Sequence, residues 1–143
     1  MSITNKIYIP EDVLYFLKLA GYDKFVYSNI DEVVVRPDLP ANGVAFIGSR
    51  PRLVHIKLRV PPVNNAAWRQ VTAISNATTY VHEAAHHYRW ENYHDRGEYA
   101  PQCYEWRFLR ALQPLIESQG KIRMVIHPRT WWGGFKGCNY LIV

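Results

Sequence analysis

Cysteine is scarce in this chain: Cys103 and Cys138 are the only two among 143 residues. Two thiols exclude a disulfide scaffold and a four-cysteine zinc site, leaving one disulfide as the most that could form. Long apolar runs are missing as well, and no stretch approaches the ~20 consecutive apolar residues of a membrane-spanning helix. The opening Met1-Ser2-Ile3-Thr4-Asn5-Lys6 lacks the basic start and apolar run of a secretory leader. The expected setting is therefore cytoplasmic, with both thiols reduced and no membrane partner. Basic clusters are also lacking, because no run of five occurs among the 17 Lys and Arg. The formal charge of +5 reads as a scattered basic surface, so nucleic acid is considered as a partner but not favoured. Internal repeats and low-complexity segments are absent too.

What is present is a globular composition, 48% hydrophobic and 20% charged, and aromatic-rich at 14%. This length suits one domain over 1–143 with a genuine core. Helix is expected from Pro10 to Leu19, ended by Gly21, with a brief strand ahead of it at Lys6 to Ile9. Strands are expected at Glu32–Val35, Gly43–Gly48 and Leu53–Val60, the last two joined as a hairpin through Ser49-Arg50-Pro51-Arg52. Helix begins again at Asn64 or Asn65, either as one long helix or as two separated near Ser75-Asn76. It fails around Tyr93 to Gly97. A further helix opens at Ala100-Pro101 and runs to about Ser118. The tail offers a strand at Ile122–Ile126, a loop at Trp131–Phe135 and a last strand at Tyr140–Val143. The fold class is α+β.

Inside the long helical region stands His82-Glu83-Ala84-Ala85-His86. Positions i and i+4 share one helix face, so His82 and His86 can direct two imidazoles at one metal ion. Glu83 projects about 100° away, placed to act on water without binding the metal. Two neutral nitrogens beside a carboxylate suit zinc, one ion per chain.

A catalytic zinc site needs a third protein ligand. In the following helix, Phe108, Leu109, Leu112, Leu115 and Ile116 form the apolar stripe. Glu105 lies three and four residues before its first members, on the same face. An inward carboxylate calls for a partner, either the metal or an arginine such as Arg89 or Arg107. Glu105 is the expected third ligand; Glu98, in the loop before the helix, competes for that role. Of the other histidines, His87 is expected to face solvent or a supporting partner, and His55 and His127 are isolated.

The pattern His82-Glu83-x-x-His86, followed after eighteen residues by Glu105, resembles the gluzincin zinc peptidases, the group of thermolysin-like enzymes and zinc aminopeptidases. The resemblance covers residues 82–105 only. It implies a small zincin-like domain, with a mostly antiparallel N-terminal sheet ahead of the motif helix. It also implies a metallopeptidase in which His82, His86 and Glu105 hold zinc and Glu83 is the general base for hydrolysis of a peptide or protein substrate. Larger gluzincins stabilise the oxyanion with a Tyr or His beyond the ligands. His127 and Tyr140 occupy such positions in the tail, without a motif to mark them. An extended substrate would add to a sheet edge, expected at Leu53, His55, Lys57 and Arg59, or on the partner strand Gly43–Gly48. The alternative is a non-catalytic zincin-like binding module for protein or nucleic acid.

Overall fold

The computed structural model describes residues 7–119, 123–131 and 134–142, giving the backbone alone from residue 125 onward. Helix α1 (Glu11–Leu19) is acidic in its first turn and basic in its last, matching the helix dipole at both ends. Helix α2 (Asp23–Asn29) follows almost at once. Three short strands come next, β1 (Glu32–Val35), β2 (Gly43–Ala45) and β3 (Leu53–Ile56). The long helix α3 (Ala66–Tyr93) and helix α4 (Tyr99–Glu117) carry the motif region. A hairpin of β4 (Met124–Trp131) and β5 (Gly134–Ile142) closes the chain.

Helix α3 is the axis of the molecule. The Asn65 side chain caps it by accepting from the Trp68 amide at 2.9 Å. It runs unbroken through Ser75-Asn76, so one helix forms where the sequence allowed two. Asn76 is not a cap. It is buried, and its side chain takes the Arg59 amide at 2.8 Å and donates to the Arg59 carbonyl at 3.2 Å. Around α3 pack α1, α2, α4 and the sheet. The core they share includes Leu17, Val26, Val54, Ile56, Ile74, Tyr80, Val81, Phe108, Leu112 and Ile116. A buried leucine or isoleucine contributes about 1.5–3 kcal/mol, so this shared core holds the two motif helices in fixed relation.

The α+β class is as expected, but the N-terminal sheet is mixed. Its order is β1-β3-β2, with β1 parallel to β3 and β2 antiparallel to it. Strand β3 is therefore central, which corrects the expectation that Leu53, His55, Lys57 and Arg59 form a substrate-receiving edge. Leu53 and His55 are paired on both sides. The Lys57 amide donates to the Asn42 carbonyl at 2.9 Å, and both backbone groups of Arg59 are held by Asn76. The strands are also shorter than the alternation suggested, ending at Ala45 and Ile56. Residues 7–10 are not strand, and α2 was not foreseen. Of the expected loop at Trp131–Phe135, Trp131 ends β4 and Gly134 and Phe135 open β5, while Trp132 and Gly133 lie outside the described residues. Cys103 is a free thiol, and the Cys138 side chain lies outside the described ones.

Candidate metal centre

Helical spacing brings His82 and His86 together, with ring centroids 4.9 Å apart. Ligand atoms of His82, Glu83 and His86 all fall within 4.8 Å of one another, so this group could hold a metal ion. Glu83 and His86 are buried, and His82 is partly so.

A short loop then folds a carboxylate over the pair. Helix α3 stops at His94, whose left-handed φ of 53° turns the chain, while its amide bonds back to the Trp90 carbonyl at 2.9 Å. Asp95 braces the turn, accepting from the Gly97 amide at 2.8 Å and from Arg89 Nε at 3.2 Å. Glu98 follows at the N-cap of α4. Its Oε2 lies 2.9 Å from His82 Nε2 and its Oε1 lies 3.1 Å from His86 Nε2. One carboxylate thus spans the two outer nitrogens.

Glu105 comes from the other side. Its Oε2 meets His82 at Nδ1, 2.7 Å away. Glu105 is expected to meet a metal or an arginine such as Arg89 or Arg107; its carboxylate, 24% exposed, instead meets a histidine. Arg89 is instead engaged with Asp95, and Arg107 lies over the Tyr104 ring. His82 is gripped at both ring nitrogens, Glu105 on the inside and Glu98 on the outside.

Glu83 points towards the sheet. The Ala45 backbone amide of β2 lies near enough to lower the Glu83 pKa. Gly43 lies still closer, since a Cβ added there would sit 2.7 Å from Glu83 Oε2 and 2.9 Å from Thr79 Cγ2. Only glycine allows the strand this close to the carboxylate. Sequence reasoning did not single out Gly43, and its one signal was a glycine opening a β-branched run.

Electrostatics follow from this crowding. Burial pushes the Glu83 carboxyl up to about 7, helped by Glu98 and Glu105, while His82 and the Ala45 amide pull it down. Burial lowers His82, but the Glu105 bond and the charges of Glu83, Glu105 and Glu98 outweigh it, raising the ring to about 9. Burial keeps His86 below its ordinary value, and its Nδ1 has no hydrogen-bond partner among the described residues. A neutral imidazole is the metal-binding form. Among the described residues no lysine or arginine forms an ion pair with Glu83, Glu98 or Glu105. Three carboxylates around two imidazoles make a cluster whose charge a divalent cation would offset in part.

The remaining histidines stand apart. His87 is buried and bonds the Leu53 carbonyl through Nε2 at 3.0 Å, serving the α3–sheet contact rather than facing solvent. His55 packs on Phe46, with centroids 4.6 Å apart. His127 and Tyr140 lie in β4 and β5, where Asn139 pairs with His127 and Ile126 with Tyr140, and their side chains lie outside the described ones. Among the described residues no helix is long and apolar enough to cross a membrane. The chain matches no protein-family model, no curated protein and no solved structure, so no known relative identifies a gluzincin family for it.

Proposed function

We propose that this chain is a small zinc-dependent metallopeptidase whose metal is held by His82, His86 and Glu98. The observation that carries the reading is the Glu98 carboxylate lying across both Nε2 atoms, at 2.9 and 3.1 Å. It replaces the expected ligand Glu105, which bonds the opposite nitrogen of His82 at 2.7 Å. A carboxylate on the far nitrogen fixes the ring's orientation and tautomer and strengthens its outer nitrogen as a donor. Glu105 is thus a positioning residue.

A zinc ion bound there would supply Lewis acidity, bringing water towards a pKa of about 7. Glu83 is the general base. It is buried and crowded by Gly43, so its carboxylate has a fixed place from which to take the proton of an attacking water. It then returns that proton to the leaving amine as the peptide bond breaks.

Strand β2 supplies the free edge that β3 cannot. Asn42 and Phe46 bond inward to Lys57 and Leu53, so by antiparallel alternation Gly43 and Ala45 turn their backbone groups outward. The Ala45 amide lies beside Glu83, and its carbonyl accepts from the Ile47 amide at 3.0 Å. Gly43 keeps an outward amide and carbonyl beside the base, where a substrate backbone would pair.

The test is metal content and hydrolysis together. Purified chain should carry about one zinc, and Glu83→Gln should keep the zinc while losing peptide hydrolysis. Undiminished turnover in Glu83→Gln removes the proposed base. Zinc retained by wild type with no cleavage across a broad peptide library favours the non-catalytic binding module.

A further inference from the structure

Beside the centre runs a groove of about 1090 Å³, reaching from Trp68 near the start of α3 to Thr79 and Glu105. Its lining includes Asn42, Lys57 and Arg59. Thr79 lies four residues before Glu83 and against Gly43, so the inner end of the groove adjoins the helical turn that carries the base. From residue 68 to 79 the helix rises about 16 Å, room for about five residues of extended peptide.

Among the described residues, Lys57 and Arg59 share with Lys18, Lys24 and Arg69 the lack of a carboxylate partner, and of these only Lys57 and Arg59 line the groove. Arg36 pairs with Asp38, Arg50 with Glu91, Arg52 with Asp31 and Glu91, and Arg89 with Asp95. Arg96, Arg107 and Arg110 lie over aromatic rings. Lys57 instead reaches the Leu39 carbonyl at 3.4 Å, and Arg59 Nε reaches the Asn42 side-chain oxygen at 3.2 Å. All 12 Asp and Glu of the chain lie between positions 11 and 117, within the described residues, and none pairs with either cation.

Nor is Arg59 loosely placed. It lies beyond the end of β3, ahead of Pro61-Pro62, yet a buried Asn76 side chain holds both its amide and its carbonyl. A buried amide in mid-helix spent on the backbone of an exposed arginine fixes where that arginine stands. Lys57 and Arg59 are two residues apart, the spacing at which alternate side chains of an extended segment share a side.

We infer that Lys57 and Arg59 form an anion subsite that selects acidic peptide segments, with carboxylates at alternate positions, for the adjoining centre. The inference rests on the peptidase reading for what happens to the segment, but not for its binding. Two cations on the groove wall supply the charge complementarity, and the indole of Trp68, 44% exposed, offers an apolar contact at the far end.

The test uses the Glu83→Gln chain and two fluorescent nine-residue peptides of alanine and leucine, one bearing Glu-Ala-Glu and the other Gln-Ala-Gln. Anisotropy at low salt should show the glutamate peptide binding about tenfold tighter. Adding Lys57→Gln and Arg59→Gln should reduce it to the glutamine peptide's affinity. Lys57→Glu with Arg59→Glu should transfer the preference to a Lys-Ala-Lys peptide, a gain that a misfolded chain cannot show. Equal binding of the glutamate and glutamine peptides overturns the subsite, as does a preference that survives the double substitution. A ten-nucleotide single strand that outcompetes the glutamate peptide overturns it in favour of nucleic acid. If wild type cleaves no peptide while the glutamate preference persists, the peptidase reading falls and the subsite stands.

Discussion

Glu98 and Glu105 hold one imidazole between them, Glu98 at His82 Nε2 (2.9 Å) and Glu105 at Nδ1 (2.7 Å). The two carboxylates are seven positions apart, at the cap and on the first turns of α4, yet they address opposite sides of the ring. In the proposed centre their roles divide accordingly, ligand outside and support inside.

The close approach of Gly43 to Glu83 gives the first prediction. A methyl group at position 43 would meet Glu83 Oε2 at 2.7 Å, so Gly43→Ala must displace the base or the strand. A misplacement of about 1 Å costs about a hundredfold in rate. Steady-state hydrolysis at equal zinc occupancy should therefore fall by about that factor in kcat, with the zinc content unchanged. A kcat within twofold of wild type would show that Glu83 needs no such support.

Much of this site was legible in the sequence, for identifiable reasons. His82 and His86 are four apart within a continuous helix, and helical geometry alone makes them neighbours. The inward direction of Glu105 followed from its register with Phe108 and Leu109. Its target nitrogen did not, because that depends on how α3 and α4 cross. The approach of Glu98 to both histidines was not legible, because its place depends on the His94 turn and the Asp95 brace, neither of which leaves a hydrophobic period. Strand β3 looked like an edge because alternation reports which faces are buried, not which neighbours pair. Its parallel partner β1 arrives through a connection of 17 residues, 36–52, that no local pattern announces. Asn76 read as a cap because polarity in a helix usually marks an end, whereas here it clamps Arg59.

The second prediction concerns acid stability. Arg52 hydrogen-bonds Asp31 and holds its carboxyl at about 2, against an ordinary 3.8. The folded value lies below the unfolded one, so the stabilisation is complete above the unfolded pKa and is lost as pH falls through about 2. The Asp31 side chain is 37% exposed, and solvent screening keeps the contribution under about 1 kcal/mol. Urea unfolding of Asp31→Asn should give a lower midpoint at neutral pH and a shallower loss of stability between about pH 4 and 2. A midpoint equal to wild type at pH 7 would mean that the pair contributes nothing.

A third prediction concerns the N-terminal segment. Tyr80 is fully buried in α3, and its hydroxyl donates to the Tyr8 carbonyl at 2.6 Å. Tyr80→Phe keeps the ring and removes the donor, at a cost of about 1 kcal/mol, or about 3 °C in Tm. Hydrogen exchange should show the Ile7–Pro10 region loosening while α4 is unaffected. An unchanged Tm would leave the bond without energetic weight.

The most direct measurement of the proposed centre is zinc affinity by competition with a chromophoric chelator, for wild type, Glu98→Gln and Glu105→Gln. Glu105→Gln, which retains a side chain able to bond Nδ1, should weaken zinc by about ten- to a hundredfold at most. Glu98→Gln, which removes a ligand, should weaken it by more than that. The opposite order, with Glu105→Gln the more damaging and Glu98→Gln close to wild type, would contradict the His82–His86–Glu98 centre.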